Sequence, residues 1–418
     1  MQYENQNKLQ PLIERVEQKI QPALQAIDKN IEYHQYRVLQ AFRNNKISEG
    51  HFIPSTGYGY DDVGRDTLEK LYADVLGGEA GLVRPQIISG THAITVALFG
   101  VLRPGDELLY ITGKPYDTLD EIVGLRGQDN GSLKDFNISF NYVALQEDGM
   151  INYEAVKQAI KRDTKMIGIQ RSKGYANRPS FNIQEIENMI KFVKSLKEDV
   201  IVFVDNCYGE FVEDKEPCHV GADLMAGSLI KNPGGGIAKT GGYIVGTQRL
   251  VELCAYRMTS PGIGAEAGPS LYSLQEMYQG FFLAPHVVGQ ALKGALFTSC
   301  LLGELGLTTS PSWNQPRTDL VQAVQFDDKD RMIAFCQAVQ YASPINAHFR
   351  PEPNYMPGYE DDVIMAAGTF IQGSSMELSA DGPIRPPYIA YVQGGLTYAH
   401  VKIAVSLAVD KLISASLI

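Results

Sequence analysis

Between about residue 67 and residue 260 the sequence alternates helical and extended patterns, and that alternation leaves few architectures open. TLEKLYADVLG reads as a helix, GLVRPQIIS as a strand, GTHAITVALFGVL as a helix, ELLYIT as a strand and TLDEIVGL as a helix. The series continues with KMIGIQRS (strand), IQEIENMIKFVKSLK (helix), VIVFVDN (strand), DLMAGSLIK (strand) and GGYIVGT (strand). Such a series predicts an α/β fold in which a mostly parallel sheet is flanked by helices. Ahead of it, Leu9, Leu12, Ile13, Val16 and Ile20 recur at three-four spacing and predict an amphipathic helical arm. Behind it, the Gly/Pro-rich break SPGIGAEAGPS precedes a long apolar helix and short strands around ELSAD and YVQGGLTY. The expected organisation is therefore an N-terminal helical arm over 1–55, a large α/β domain over 56–265, and over 266–418 a long helix with a smaller α+β domain. No internal repeat or low-complexity tract interrupts it.

Composition narrows the class of function. A chain of 418 residues with 44% hydrophobic and 20% charged residues has the make-up of a soluble globular protein. Its net charge of -11 argues against nucleic acid as a main partner, because that role needs a basic face. The 5 cysteines are scattered and show no C-x-x-C spacing, so neither a disulfide framework nor a metal site is expected, and a cytoplasmic location follows. The first residues show no cationic stretch followed by an apolar one, so no secretory signal is expected, and no apolar run reaches the roughly 18 residues of a membrane span.

In a parallel sheet, ligands gather at the carboxyl ends of the strands. After the first strand stand Ser89, Gly90, Thr91 and His92 and then a helix, whose first amides would face an anion such as phosphate; a simple capped turn reads the same way. Asp205 ends the apolar strand VIVFV, where a carboxylate needs a cation, a protonated ring nitrogen being one candidate. Then comes SLIKNPGGGIAKTGG, residues 228–242, with two lysines around a glycine run. Lys231 follows an apolar stretch with Ser228 three residues before it, and desolvation is expected to lower its pKa toward a nucleophilic amine. Lys239 has no such setting and is expected to face solvent or a subunit boundary. The glycines are expected to let backbone pass close to a ligand or an adjacent chain.

Taken together and in order, the phosphate turn, the strand-end Asp and Ser-x-x-Lys resemble fold type I pyridoxal-phosphate enzymes. The stretch GYGYDDVGRDTLEKLYADVLGGEAGLVRPQIISGTHAI resembles the cystathionine and methionine lyases, and IIxGTHAI, VDNCYGEF, GSLIKNPGGGIAxTGGYI and ELSADGP look like the methionine gamma-lyase family branch of "aluminium resistance" carbon-sulfur lyases. That resemblance covers nearly the whole chain. It implies pyridoxal 5'-phosphate held by Lys231 as a Schiff base, with Asp205 on the ring nitrogen and Tyr116 stacked on the ring. It implies phosphate contacts from Gly90, Thr91, His92 and Ser228, and from Tyr60 of a neighbouring subunit in a homodimer or homotetramer, with Tyr58 a near competitor and a candidate for substrate. The arginine usual two residues beyond that tyrosine is replaced by Asp62, leaving Arg65 as a substitute. Gln170, Arg171, Ser172 and Lys173 occupy the place of a segment that reaches the cofactor, Arg171 being a candidate for an anion. Where relatives carry a carboxylate-binding arginine this chain has Glu377, and Arg385 is the substitute. The implied activity is elimination of a thiol from a sulfur-containing amino acid of the cystathionine, methionine or cysteine class. An aminotransferase or other amino-acid enzyme would share the same cofactor grip, and a non-catalytic binding or regulatory descendant of the fold would be expected to lose Lys231 or Asp205. Ser228-x-x-Lys231 with Lys239-Thr240-Gly241 is also similar to elements of penicillin-binding proteins, but those lie far apart in sequence and no S-D-N accompanies them here.

Overall fold

The computed structural model describes residues 3–418. They form two compact units, one of His34–Leu283 and the other of the chain up to Tyr33 together with Ala284–Ile418. In chain order the helices are α1 (Gln6–Asn44), α2 (Val63–Leu76), α3 (Gly90–Val101), α4 (Asp120–Val123), α5 (Tyr153–Ala159), α6 (Ile183–Leu196), α7 (Gln248–Met258), α8 (Leu274–Glu304), α9 (Lys329–Tyr341) and α10 (Tyr398–Ser414). The strands of the His34–Leu283 unit are β1 (Ala80–Arg84), β2 (Glu107–Tyr110), β3 (Ser139–Tyr142), β4 (Thr164–Gln170), β5 (Ile201–Asp205), β6 (Leu224–Ser228) and β7 (Gly242–Gly246). Those of the other unit are β8 (Thr308–Ser310), β9 (Gln322–Gln325), β10 (Val363–Ala366), β11 (Ser379–Pro383) and β12 (Ile389–Gln393).

The seven strands of the first unit lie in the order β1-β7-β6-β5-β4-β2-β3. β7 runs antiparallel to both its neighbours, and the remaining pairs are parallel. This is the mostly parallel, helix-flanked sheet that the alternation predicts. One core joins Leu82, Leu108, Met166, Phe203, Leu224 and Ile244 of the strands to Ile94, Leu98, Val251 and Cys254 of α3 and α7. The helices begin where the sequence supplies caps. The Asp62 carboxylate accepts the Arg65 amide at 2.9 Å to open α2, the Ser89 hydroxyl accepts the His92 amide at 3.0 Å to open α3, and Asn182 with Glu185 forms a capping box at α6.

In the other unit five antiparallel strands lie in the order β10-β11-β12-β9-β8. Their core takes in Leu9, Leu12, Ile13, Val16 and Ile20 of α1, packed with Leu301, Phe335, Val392 and Leu412. The division thus falls differently from the three segments expected at 55 and 265. The apolar stripe of α1 is core of its own unit, each Leu or Ile buried there being worth about 1.5–3 kcal/mol. No helix of the described residues is long and apolar enough to cross a membrane.

The sheet register sets three strand ends side by side in the first unit. Gln170 pairs with Asp205, Asp205 with Ala226, and Ser228 with Gly242.

Candidate active site

Lys231 lies just beyond β6. Its Nζ stands 3.9 Å from the centroid of the Tyr208 ring. Burial works against the ammonium, yet Cys207, Tyr208, Asp205 and Tyr116 around it outweigh that and hold its pKa well above the ordinary lysine range. The expected lowering by desolvation is thereby reversed, because the surroundings are acidic and not merely apolar. Burial raises the Asp205 carboxyl, opposed first by Lys231 and then by hydrogen bonds from Cys207, whose amide donates to Oδ1 at 3.1 Å. The two groups therefore balance each other in a site where neither would be tolerated alone.

Three residues separated widely in sequence meet beside this pair. A Cβ added to Gly90 would lie 3.2 Å from Cys207 Sγ and 3.3 Å from Ser228 Cβ. Ser228 is 1% exposed, and its hydroxyl has no hydrogen-bond partner. At the start of α3 the Gly90 and Thr91 amides precede the first intrahelical bonds, so they too are available to an acceptor. Two free amides and an orphaned hydroxyl make an anion cradle, and Asp205 offers a counter-ion for a protonated ring nitrogen. The residues present fit pyridoxal phosphate.

Tyr116 joins the same group. Its hydroxyl lies 2.6 Å from Thr91 Oγ1 and its amide donates to Gln170 Oε1 at 2.9 Å. Burial, reinforced by Asp205, raises the phenol so that it stays protonated. Gln170, expected to reach the ligand, instead ties the loop after β2 to the end of β4, since its Nε2 also donates to Ser172 O at 2.8 Å.

Other sequence candidates are placed elsewhere. His92 is engaged in its own cap, its amide on Ser89 and its Nδ1 accepting the Ile88 amide at 3.2 Å, which leaves the ring proton on Nε2. Arg171 is fully buried, with Nη2 2.8 Å from Glu213 and Nη1 2.8 Å from Asn206 Oδ1 and 3.3 Å from Glu216. Such an arginine clamps its own chain through both Nη atoms. Arg65, the substitute for a phosphate arginine, is also buried, donating to the carbonyls of Gly59 at 2.5 Å and Gly268 at 3.0 Å. It braces the loop that carries Tyr58 and Tyr60, which are 74% and 56% exposed and stacked with ring centroids 5.4 Å apart. In the other unit Arg385 is half-exposed and paired with Asp361 at 2.9 Å, while Glu377 accepts the Phe370 and Ile371 amides at 2.7 and 2.9 Å. Lys239 is exposed and paired with Glu276.

The glycine run has an intramolecular cause. A Cβ on Gly234 would fall 1.6 Å from Leu229 O, and one on Gly280 of α8 would fall 2.2 Å from Gly234 O. Backbone therefore crosses backbone here, and Gly234→Ala is expected to destabilise the fold by about 3 kcal/mol or more, checked by urea denaturation.

Two residues that sequence reasoning passed over lie in VDNCYGEF itself. Tyr208 faces Lys231. Glu210 is fully buried with Oε1 accepting the Tyr243 hydroxyl at 2.7 Å and Oε2 unpartnered, and burial pushes its carboxyl up to about 8. An unfolded Glu ionises near 4.5, so between pH 4.5 and 8 the folded chain keeps a proton that the unfolded chain has lost, and stability falls as pH rises. Glu210→Gln removes this term. Its stability relative to the parent is expected to improve from pH 5 to pH 8, by up to about 1.4 kcal/mol per pH unit. Urea denaturation at both pH values checks this, and an unchanged difference would contradict it.

The methionine gamma-lyase family model matches residues 9–413. The chain belongs to the methionine gamma-lyase family. That is a family of pyridoxal-phosphate-dependent carbon-sulfur lyases, in agreement with the cradle, the strand-end acid and the lysine described above. The Bacillus subtilis protein YnbB is 70% identical over 412 residues, spanning 97% of this chain and 98% of that one. A solved structure of a carbon-sulfur lyase involved in aluminium resistance from Clostridium novyi is 47% identical with a TM-score of 0.93, covering 97% of this chain and 96% of that one. The pyridoxal-phosphate-dependent protein YhfS of Escherichia coli, 15% identical over 92% of this chain and 96% of that one, shares the fold with a TM-score of 0.62.

Proposed function

We propose that this chain uses pyridoxal phosphate bound at Lys231 to eliminate a thiol from a sulfur-containing amino acid of the cystathionine, methionine or cysteine class. The observation that carries the reading is the meeting of Lys231, Asp205 and an orphaned Ser228 hydroxyl with the free amides of α3. When bound, the cofactor supplies an electron sink that acidifies a carbon-bound proton of the substrate. The chain's own part is then defined by its residues. Gly90, Thr91 and Ser228 hold the phosphate, and the buried Asp205 carboxylate holds a protonated ring nitrogen. Lys231 Nζ would accept the substrate's α proton and could return it as an acid. The Tyr116 phenol, fixed by Thr91 and Gln170 and kept protonated by burial, would stack on the cofactor ring and could donate a proton to a departing thiolate.

Elimination is favoured over transamination by the family and by the Clostridium novyi relative's description as a carbon-sulfur lyase. An active site shared between copies in a homodimer or homotetramer is supported by the exposed Tyr58 and Tyr60 pair, which Arg65 holds from beneath. The free cysteines support a reducing compartment such as the cytoplasm. The test is to assay thiol, ammonia and oxo acid from a panel of sulfur amino acids with the purified, cofactor-loaded protein. Equal release of all three is expected; oxo acid without thiol or ammonia would replace the lyase by an aminotransferase.

A further inference from the structure

We infer that Tyr208 is a positioning residue whose ring face holds the Lys231 ammonium whenever that lysine is not covalently engaged. The inference rests on the reading of Lys231 given above. Its first support is the contact itself, Nζ 3.9 Å from the ring centroid, within the distance at which a cation is attracted to a ring face. The second support is the backbone, because Tyr208 has a φ of +74°, where glycine is favoured and a bulky side chain is strained. An aromatic at that position needs a structure that imposes it.

The turn after β5 supplies that structure. The Cys207 amide is fixed on Asp205 Oδ1 at 3.1 Å, and the Gly209 amide closes on Asn206 O at 3.0 Å. Beneath the turn lies Arg171, so close that a Cβ on Gly209 would fall 2.4 Å from its Nη1. Arg171 is in turn anchored by Asn206, Glu213 and Glu216. The buried arginine thus clamps the turn that aims the Tyr208 ring at Lys231. The groups facing Nζ are then Asp205, Cys207, Tyr208 and Glu210 from β5 and its turn, and Tyr116 from the loop after β2. Among them Tyr208 has its ring face in contact with the charge, and while its phenol is neutral the attraction comes from the ring.

The test is the pH profile of Lys231 acylation by trace acetic anhydride in the cofactor-free full chain, read by peptide mass spectrometry with the exposed Lys239 as reference. Tyr208→Phe keeps the ring, and Tyr208→Gly removes it at a φ that glycine adopts without strain. The parent and Tyr208→Phe are expected to share one midpoint. Tyr208→Gly is expected to reach it about half to one pH unit lower, with about three- to tenfold more acylation below the midpoint. Superimposed profiles for Tyr208→Gly and the parent would overturn the inference, as would a shift in Tyr208→Phe as large as that in Tyr208→Gly. Added pyridoxal phosphate is expected to protect Lys231 in the parent. Lack of protection there overturns the proposed function itself, and so the two failures are told apart.

Discussion

Lys231→Ala is expected to lower kcat/KM for thiol release by about a thousandfold or more. A positioned acid/base alone contributes about 10²–10⁴, and the same substitution removes the proposed covalent anchor. The neighbouring lysine supplies the control. Lys239 is exposed and held only by a surface pair with Glu276, worth about 0–1 kcal/mol, so Lys239→Ala is expected to change kcat/KM by less than about twofold. Steady-state assays of thiol release on the parent and the two variants check this. Comparable losses at both positions would contradict the unequal roles assigned to them.

Asp205→Asn is the second large effect. The carboxylate ends β5 at 5% exposure, and in the cofactor-free chain Lys231, with a smaller contribution from Arg178, opposes its charge. An amide keeps the shape and can still accept the Cys207 amide, but it cannot hold a protonated ring nitrogen in the ionised pair. Loss of one preorganised electrostatic partner in a dry site costs about 10²–10³ in kcat. The expected result is a fall of that size, with KM changed much less and the fold intact by circular dichroism. A kcat within about threefold of the parent would show that Asp205 serves the strand end and not the cofactor.

Much of this site was legible in the sequence because its groups stand just after apolar strands. VIVFVD announces both the buried strand β5 and the costly acid at its end, and LMAGS followed by LIK does the same for β6 and Lys231 just beyond it. Caps such as Ser89 and Asp62 mark the starts of α3 and α2. Less legible were side chains whose role depends on partners distant in sequence. Arg171 reads as a free cation at a strand end until Glu213 and Glu216 are seen against it. The sign of the Lys231 shift depends on Cys207, Tyr208 and Tyr116, brought together by two different loops. The apolar stripe of α1 looks like an arm because its partners, such as Leu301 and Leu412, lie hundreds of residues further along the chain. Strand β3 was passed over although Ile138, Phe140 and Tyr142 alternate with Ser139 and Asn141, because it is a four-residue, largely exposed edge strand. The glycine run shows both sides, for its need of close approach was readable while its neighbours, Leu229 O and Gly280, were not.

The measurement that bears most directly on the account is the identity of the lysine that carries the cofactor. The protein loaded with pyridoxal phosphate is reduced with borohydride, digested and mapped by mass spectrometry. A pyridoxyl adduct on Lys231, with Lys239 unmodified and no adduct in Lys231→Ala, is the predicted result. An adduct on Lys239, or none at all, would contradict it.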